Sequence, residues 1–292
     1  MKSYKDSLFQ KIADRRMETN SPLRQTQLVE LKLLQIIDII CKKHSIPYWL
    51  DGGTLLGAIR HGGFIPWDDD ADICMLRKDY EYFLQIADSE LPSDVILRYD
   101  SHGGNPIFKG YAKITDCYST ALGYGENLAD SDLKGICVDI FPVDKYPYVS
   151  NRTIAFFIRS FRKSRQVLNC PQYINPILIL RYFYRLMIFF FLKFLWNLLL
   201  LFSPCSTRMK YPIDCTYSGK YFEQSTIFPL KELSFEHLIF PVPNDCDTYL
   251  KVLYGNYMQP PPENERKGHY IYLAPTRKYE HKDALDWFSD SI

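Results

Sequence analysis

Asp68, Asp70 and Asp72 stand at every second position in Phe64-Ile65-Pro66-Trp67-Asp68-Asp69-Asp70-Ala71-Asp72-Ile73. On extended backbone, alternate side chains share a face. The three carboxylates therefore gather, while Asp69 points away. Carboxylates so close repel one another unless a cation lies between them, and oxygen-only ligands suit a hard ion such as Mg²⁺ or Mn²⁺. Upstream lies Gly52-Gly53-Thr54, in Trp49-Leu50-Asp51-Gly52-Gly53-Thr54-Leu55-Leu56. Glycine lets a backbone approach a phosphate closely. A phosphate-cradling loop followed by a carboxylate metal site is the outline of a phosphoryl- or nucleotidyl-transferring enzyme. A solvated acidic turn is the plainer reading. The flanking Trp49-Leu50, Phe64-Ile65 and Ile73-Cys74-Met75-Leu76 argue against it, because carboxylates in apolar sequence are costly to bury without a partner.

The elements that must hold these residues read as follows. Residues 1–20 are polar and form a loose lead-in. Ser21-Pro22 starts a helix, with Ser as N-cap and Pro at the first helical position. Leu28, Leu31, Leu34, Ile37 and Ile40 mark its apolar stripe. Ile46–Leu50 reads as a strand, followed by the Gly-Gly turn and a short helix through Ile59. Asp70–Met75 reads as a second strand, with a helix near Lys78–Ala87. Val95–Tyr99, Tyr111–Thr115 and Ile136–Phe141 are further strands. Few strands with flanking helices make the chain α+β or α/β.

The Gly52–Ile73 segment resembles the core motif of the LicD family, whose fold resembles that of nucleotidyltransferases. Gly52-Gly53-Thr54 match the glycine element and Asp70-Ala71-Asp72 the acid pair. Gly135-Ile136-Cys137-Val138-Asp139-Ile140-Phe141-Pro142-Val143-Asp144 resembles the block with the third acid, best matched by Asp139. Phe240-Pro241-Val242-Pro243 and Leu253-Tyr254-Gly255-Asn256-Tyr257-Met258 are similar to C-terminal blocks of the family. The resemblance implies an α+β fold, a nucleotidyltransferase-like mixed sheet flanked by helices. It divides the chain into a catalytic core at 21–144, a basic amphipathic helical insertion at 145–213, and the rest of the domain at 214–292.

It also implies an activity, in which a phosphorylated alcohol, phosphocholine or a similar polyol phosphate, moves from a CDP-linked donor to a glycan or lipid-linked glycan. Asp70, Asp72 and Asp139 are the expected ligands of Mg²⁺ or Mn²⁺, with Asp68 as an extra ligand or a tuning neighbour. Gly52, Gly53 and Thr54 are expected on phosphate oxygens. Arg60 is a candidate phosphate clamp, and His61 a candidate proton shuttle. Lys113 faces either the site or solvent. The general base stays open between Asp144 and Asp68. True nucleotidyl transfer shares the same metal site, and a non-catalytic membrane-bound scaffold is the reading from another class. The intact acid set favours an enzyme.

The net charge of +1 hides an asymmetry. From Lys145 to Ile213 there are 11 basic residues and no acid, which leaves 24 basic against 34 acidic elsewhere, a net of −10. The apolar run Ile177–Phe202 is interrupted by Arg181, Arg185, Lys193 and Asn197, within one sector of about 160° at 3.6 residues per turn. An amphipathic helix on an anionic membrane surface is expected. A buried core helix and a membrane span are the alternatives. The apolar content and the lack of base-reading residues exclude nucleic acid. The eight cysteines include no Cys-x-x-Cys pair, which argues against a zinc knuckle. With no signal-peptide core, they point to a reducing, cytoplasmic setting without disulfides, at the inner face of the membrane.

Overall fold

In the computed structural model, residues 9, 11–100, 110–124, 134–168, 176–212 and 221–279 are described. Helix α1 (Pro22–His44) starts where the Ser21 hydroxyl accepts the Arg24 N–H, and ends at Ser45 in the left-handed conformation. Its stripe, with Leu31, Leu34, Ile37 and Ile40 almost wholly buried, packs into the main core beneath the sheet.

The central sheet runs in the order β1 (Trp49–Leu50), β2 (Ala71–Leu76), β6 (Cys137–Lys145), β4 (Tyr111–Asp116) and β3 (Val95–Asp100). Only β2 and β6 are parallel among these neighbours. Their register sets Asp72 beside Asp139, and Lys113 of β4 stands opposite Asp139. Helix α2 (Gly52–His61) joins β1 to the acidic segment, and α3 (Arg77–Glu90) follows β2. This is the expected α+β, nucleotidyltransferase-like mixed sheet flanked by helices.

Some boundaries differ from the sequence reading. The strand expected at 46–50 is only two residues long, and α2 begins at the glycines themselves. Strand β2 starts after Asp70, so the first two alternate aspartates sit on irregular backbone. Strand β6 runs past Phe141 through Pro142, because β4 stops pairing with it at Ile140 and Pro142 lies beyond that ladder. The N-terminal lead-in is tied down at Arg16. Its guanidinium pairs with Asp116 at 2.7 and 3.1 Å, with Asp14 at 2.7 Å, and donates to the Pro275 carbonyl at 2.6 Å.

Two two-stranded antiparallel sheets flank the central one. Strand β5 (Thr120–Gly123) pairs with β11 (Tyr270–Ala274), and β9 (Lys231–Phe235) with β10 (Leu238–Val242). The short β7 (Arg208–Lys210) pairs with the far end of β6 and carries β8 (Phe222–Glu223). Helices α6 (Gln224–Ile227) and α7 (Cys246–Tyr254) complete the C-terminal part.

Between β6 and β7 the chain makes α4 (Asn151–Leu168) and α5 (Pro176–Leu201), which pack together. They enclose a separate core of Tyr146, Phe157, Phe161, Phe189, Leu192 and Trp196. The Tyr146 N–H donates to the Arg208 carbonyl at 2.9 Å, so the chain returns to the sheet where it left it.

The orientation of α5 departs from expectation. The side buried against α4, with Phe189, Leu192 and Trp196, is the side on which Arg185 also falls. The opposite, wider side exposes Leu180, Phe183, Met187, Phe190, Phe194 and Leu201. Residues 179–201 are long and apolar enough to cross a membrane, and only 17% of their most apolar window is buried. A helix so exposed is not the core helix that was one alternative. The six cysteines among the described residues are free, and Cys170 and Cys215 lie outside them.

Candidate active site

The site forms where α2, the acidic segment, β6 and the C-terminal wall meet. Asp51 caps α2 by position, and its carboxylate is buried under three donors. The Tyr249 hydroxyl donates at 2.7 Å, the Cys74 thiol at 3.0 Å, and the Tyr211 hydroxyl donates as well. Its backbone N–H donates to the Asp72 carbonyl at 3.0 Å. Thus α2 and β2 are fixed to one another at the residue that starts the helix.

Two glycines follow because carboxylates occupy their side-chain space. A Cβ on Gly52, whose φ is +52°, would lie 2.7 Å from Asp72 Oδ2, and one on Gly53 would lie 2.5 Å from Asp68 Oδ2. The first N–H groups of a helix have no intrahelical partner and carry partial positive charge. Asp68 and Asp72 therefore lie against a favourable helix end. The Thr54 hydroxyl is buried and accepts the Asp72 N–H at 2.8 Å. It fixes the start of β2, and Thr54 is not among the residues that line the cleft.

The alternation of the acids survives although no strand carries the first of them. Asp68, Asp70 and Asp72 line one cleft. Asp69 turns away and accepts the backbone N–H groups of His269 and Tyr270 at 2.7 and 3.2 Å. Burial would push its carboxyl up, but the His269 side chain and these backbone bonds hold it below its ordinary value. Asp69 thereby latches residues 268–270 across the site. Gly268 permits this, since a Cβ there would meet Asp69 Oδ2 at 2.3 Å.

The remaining carboxylates are charged at a cost. Burial, then the charge of Asp70, pushes Asp68 up to about 8. Burial raises Asp70, with Asp139 adding to it. Asp72 is raised well above the carboxylate range by burial, then by Asp70 and Asp139. Asp139 has its own counter-ion, Lys113 Nζ at 3.0 Å, so Lys113 faces the site rather than solvent.

The structure does not draw Asp70, Asp72 and Asp139 into the tightest group. Among the described residues, the set with ligand atoms all within 4.8 Å of one another is Asp68, Asp69 and His269. Asp69 is committed to backbone N–H groups, which makes that set a latch more than an ion cage. His269 Nδ1 lies 3.2 Å from Asp69 and 3.3 Å from Asp70. Its hydrogen bond to Asp69, then the charges of Asp70 and Asp68, push the imidazole up to about 9. It acts as an internal cation on the cluster.

Sequence reasoning missed His269, which lies 200 residues from Asp69. It also missed the far wall. Tyr254, Asn256 and Tyr257, within a block that resembles the family, line the same cleft of about 510 Å³ with Arg60, Trp67 and Lys267. Arg60 donates to the Tyr257 carbonyl at 2.7 Å, and the guanidinium carbon of Arg266 sits 4.4 Å from the Trp67 ring centre. Trp67 thus gathers cationic groups at the cleft mouth.

Two expectations fall elsewhere. His61 is exposed, its ring edge-on to Trp67 at 6.1 Å, and is not among the cleft residues. Asp144 pairs with Arg77 at 2.9 and 3.0 Å near the end of β6. Five residues beyond Asp139, it lies about 16 Å along the strand and on the other face, too far to act as base.

Comparison with known proteins now adds to this geometry. Residues 45–188 match the model of the LicD/FKTN/FKRP nucleotidyltransferase domain. The lipopolysaccharide cholinephosphotransferase LicD of Haemophilus influenzae is 32% identical over 287 residues, covering 86% of this chain and 97% of that protein. The chain belongs to the LicD family. The human ribitol 5-phosphate transferase FKRP is 46% identical over 51 residues, 18% of this chain and 10% of that protein. Human ribitol-5-phosphate transferase FKTN is 31% identical over 85 residues, 29% and 16% respectively. Both of these likenesses are local, whereas the bacterial one spans nearly the whole relative.

Proposed function

We propose that this protein transfers a phosphorylated alcohol, phosphocholine or a similar polyol phosphate, from a CDP-linked donor to a cell-surface or lipid-linked glycan with the help of Mg²⁺ or Mn²⁺. The observation that carries this reading is one cleft lined both by Asp68, Asp70 and Asp72 and by Arg60 and Lys267. Phosphoryl transfer needs positioning and charge neutralisation more than covalent help from the protein. Membership of the LicD family and the alcohol-phosphate transferases among the relatives support the substrate class.

The donor set fits a hard divalent ion. It is all oxygen, it is buried, and its members repel one another without a cation. Asp68, Asp70 and Asp72 would hold the ion, with Asp139 beside them under the control of Lys113. When bound, the ion supplies neutralisation of the diphosphate and of the leaving CMP. The protein's groups do the rest. The N–H groups at the start of α2 receive phosphate oxygens, and Arg60 and Lys267 oppose phosphate charge from the cleft mouth.

In the same reading the α4–α5 hairpin rests on the inner face of the cell membrane and brings the cleft to a lipid-linked acceptor. Its exposed apolar side supports this, as does the acid-free span from Lys145 to Ile213. The deciding experiment incubates the protein with a panel of CDP-alcohols, Mg²⁺ and a glycolipid extract. CMP release with one donor, and alcohol phosphate on the glycan, is expected. A product that keeps the nucleotide would mean nucleotidyl transfer, and no turnover of any CDP-alcohol would overturn the donor assignment. In parallel, the protein should float with anionic liposomes at low salt. If it stays at the bottom of the gradient, the membrane reading is wrong.

A further inference from the structure

Glu30 lies on α1, wholly buried, and neither carboxylate oxygen has a hydrogen-bond partner among the described residues. Buried polar groups are nearly always paired, so an orphaned carboxylate needs a specific reason. Its position supplies one. Gln27, one turn earlier on the same side of α1, donates to the Asp68 carbonyl at 2.9 Å and the Ile65 carbonyl at 3.1 Å. That side of α1 therefore faces the acidic segment from beneath. The charges that act on Glu30 are those of Asp70, Asp68, Asp69 and Asp72, in that order. Tyr270, whose hydroxyl lies 3.4 Å from the Cys137 sulfur, feels Glu30 from the β11 side. The largest charges acting on it are thus all acidic, and the carboxylate is buried.

We propose that Glu30 is a further carboxylate of the cation site, acting from the helix side, and that the bound cation is what compensates its charge. This inference rests on the metal reading of the aspartate cleft and deepens it. Glu30 is a positioning residue. It does not line the cleft and would not meet the donor or acceptor. Its contribution is field and fixed geometry behind Asp68 and Asp70, a supporting role that typically changes metal affinity by about 10–100-fold.

The test uses the full chain with Mn²⁺ alone, read by calorimetry and by the electron-spin signal of the free ion. Glu30→Gln keeps shape and removes charge, and Glu30→Met removes both charge and polarity. Both variants should bind Mn²⁺ about ten-fold or more weakly. Both should also melt higher than wild type without metal, because an uncompensated buried charge has gone. The rise in melting temperature that Mn²⁺ gives wild type should shrink. Unchanged Mn²⁺ affinity in either folded variant overturns the role of Glu30 while leaving the cleft's metal reading intact. Wild-type protein that binds no Mn²⁺ overturns both.

Discussion

At the scale of single residues, the site is a set of carboxylates held apart by different devices. The Asp51 carboxylate accepts hydrogen bonds from two tyrosine hydroxyls and a thiol. Asp69 is quiet because it takes backbone N–H groups. Burial and mutual charge raise Asp68, Asp70 and Asp72, and His269 Nδ1, 3.3 Å from Asp70, offsets part of the rise there. Asp70→Asn and Asp72→Asn should each lower transfer by at least about 10²–10³-fold, the loss seen when one preorganised electrostatic group is removed. Each should also melt at or above wild type without metal, since neutralising either relieves repulsion. Near-normal turnover of either variant with Mg²⁺ would reject their role. Asp51→Ala should do the reverse. Stranding two buried tyrosine hydroxyls should cost about 2–4 kcal/mol of stability, read by urea unfolding. A variant as stable as wild type would show that the Tyr211 and Tyr249 contacts contribute little.

At the scale of elements, the β9–β10 hairpin turns through Glu236 and His237, both with positive φ, at 51° and 67°. Two-residue turns of this kind normally recruit Asn or Gly. Here tertiary contacts hold the strained pair. Arg24 of α1 grips the Glu236 carboxylate at 2.6 and 2.9 Å, and the Phe64 N–H donates to it at 3.2 Å. The Glu236 N–H donates in turn to the Gly62 carbonyl at 3.0 Å, tying the hairpin to the end of α2. Burial pushes this carboxyl up, but Arg24 and the Phe64 N–H hold it below its ordinary value. A lowered folded-state value means that the contribution is complete above the unfolded carboxyl range. It is lost as pH falls through the folded value. Glu236→Gln should therefore destabilise at pH 7, and its deficit against wild type should narrow as pH falls below about 4.5, the ordinary glutamate value. A deficit that is the same at pH 7 and pH 3 would assign the loss to shape rather than charge.

At the scale of the whole molecule, two cores stand side by side. One belongs to the sheet, α1 and the C-terminal β9–β10 hairpin, the other to α4 and α5. The second begins and ends at one point of the sheet, where Tyr146 meets Arg208 and the Ser206 hydroxyl donates to the Tyr146 carbonyl. An insertion with adjoining ends can be removed at little entropic cost, because a short loop replaces a long one. Replacing residues 151–205 by a few Gly and Ser residues should leave a folded protein that needs no detergent and still binds Mn²⁺. It should no longer float with anionic liposomes. Continued flotation would move the membrane contact to another surface, and a deletion that cannot fold would show that the two cores depend on each other.

The chemistry was legible in the sequence where it is local. Alternation along Asp68–Asp72 set the carboxylates on one side and Asp69 on the other, and the arrangement holds although the first of them precede β2. The start of α1 was legible for the same reason, since Ser21 and Pro22 act within one turn. What pairs across the chain was not. The register of β2, β6 and β4, which sets Asp72 beside Asp139 and Lys113 on Asp139, depends on packing between segments 67 residues apart in the first case and 26 in the second. The latch from Asp69 to residues 268–270, the removal of Asp144 to Arg77, and the outward turn of the α5 apolar face came from the same source. The sequence determined which groups could do the chemistry, because residue type and short-range geometry are local properties. The tertiary structure decided which of them meet and which are satisfied elsewhere, because burial and counter-charge depend on partners that spacing along the chain does not name.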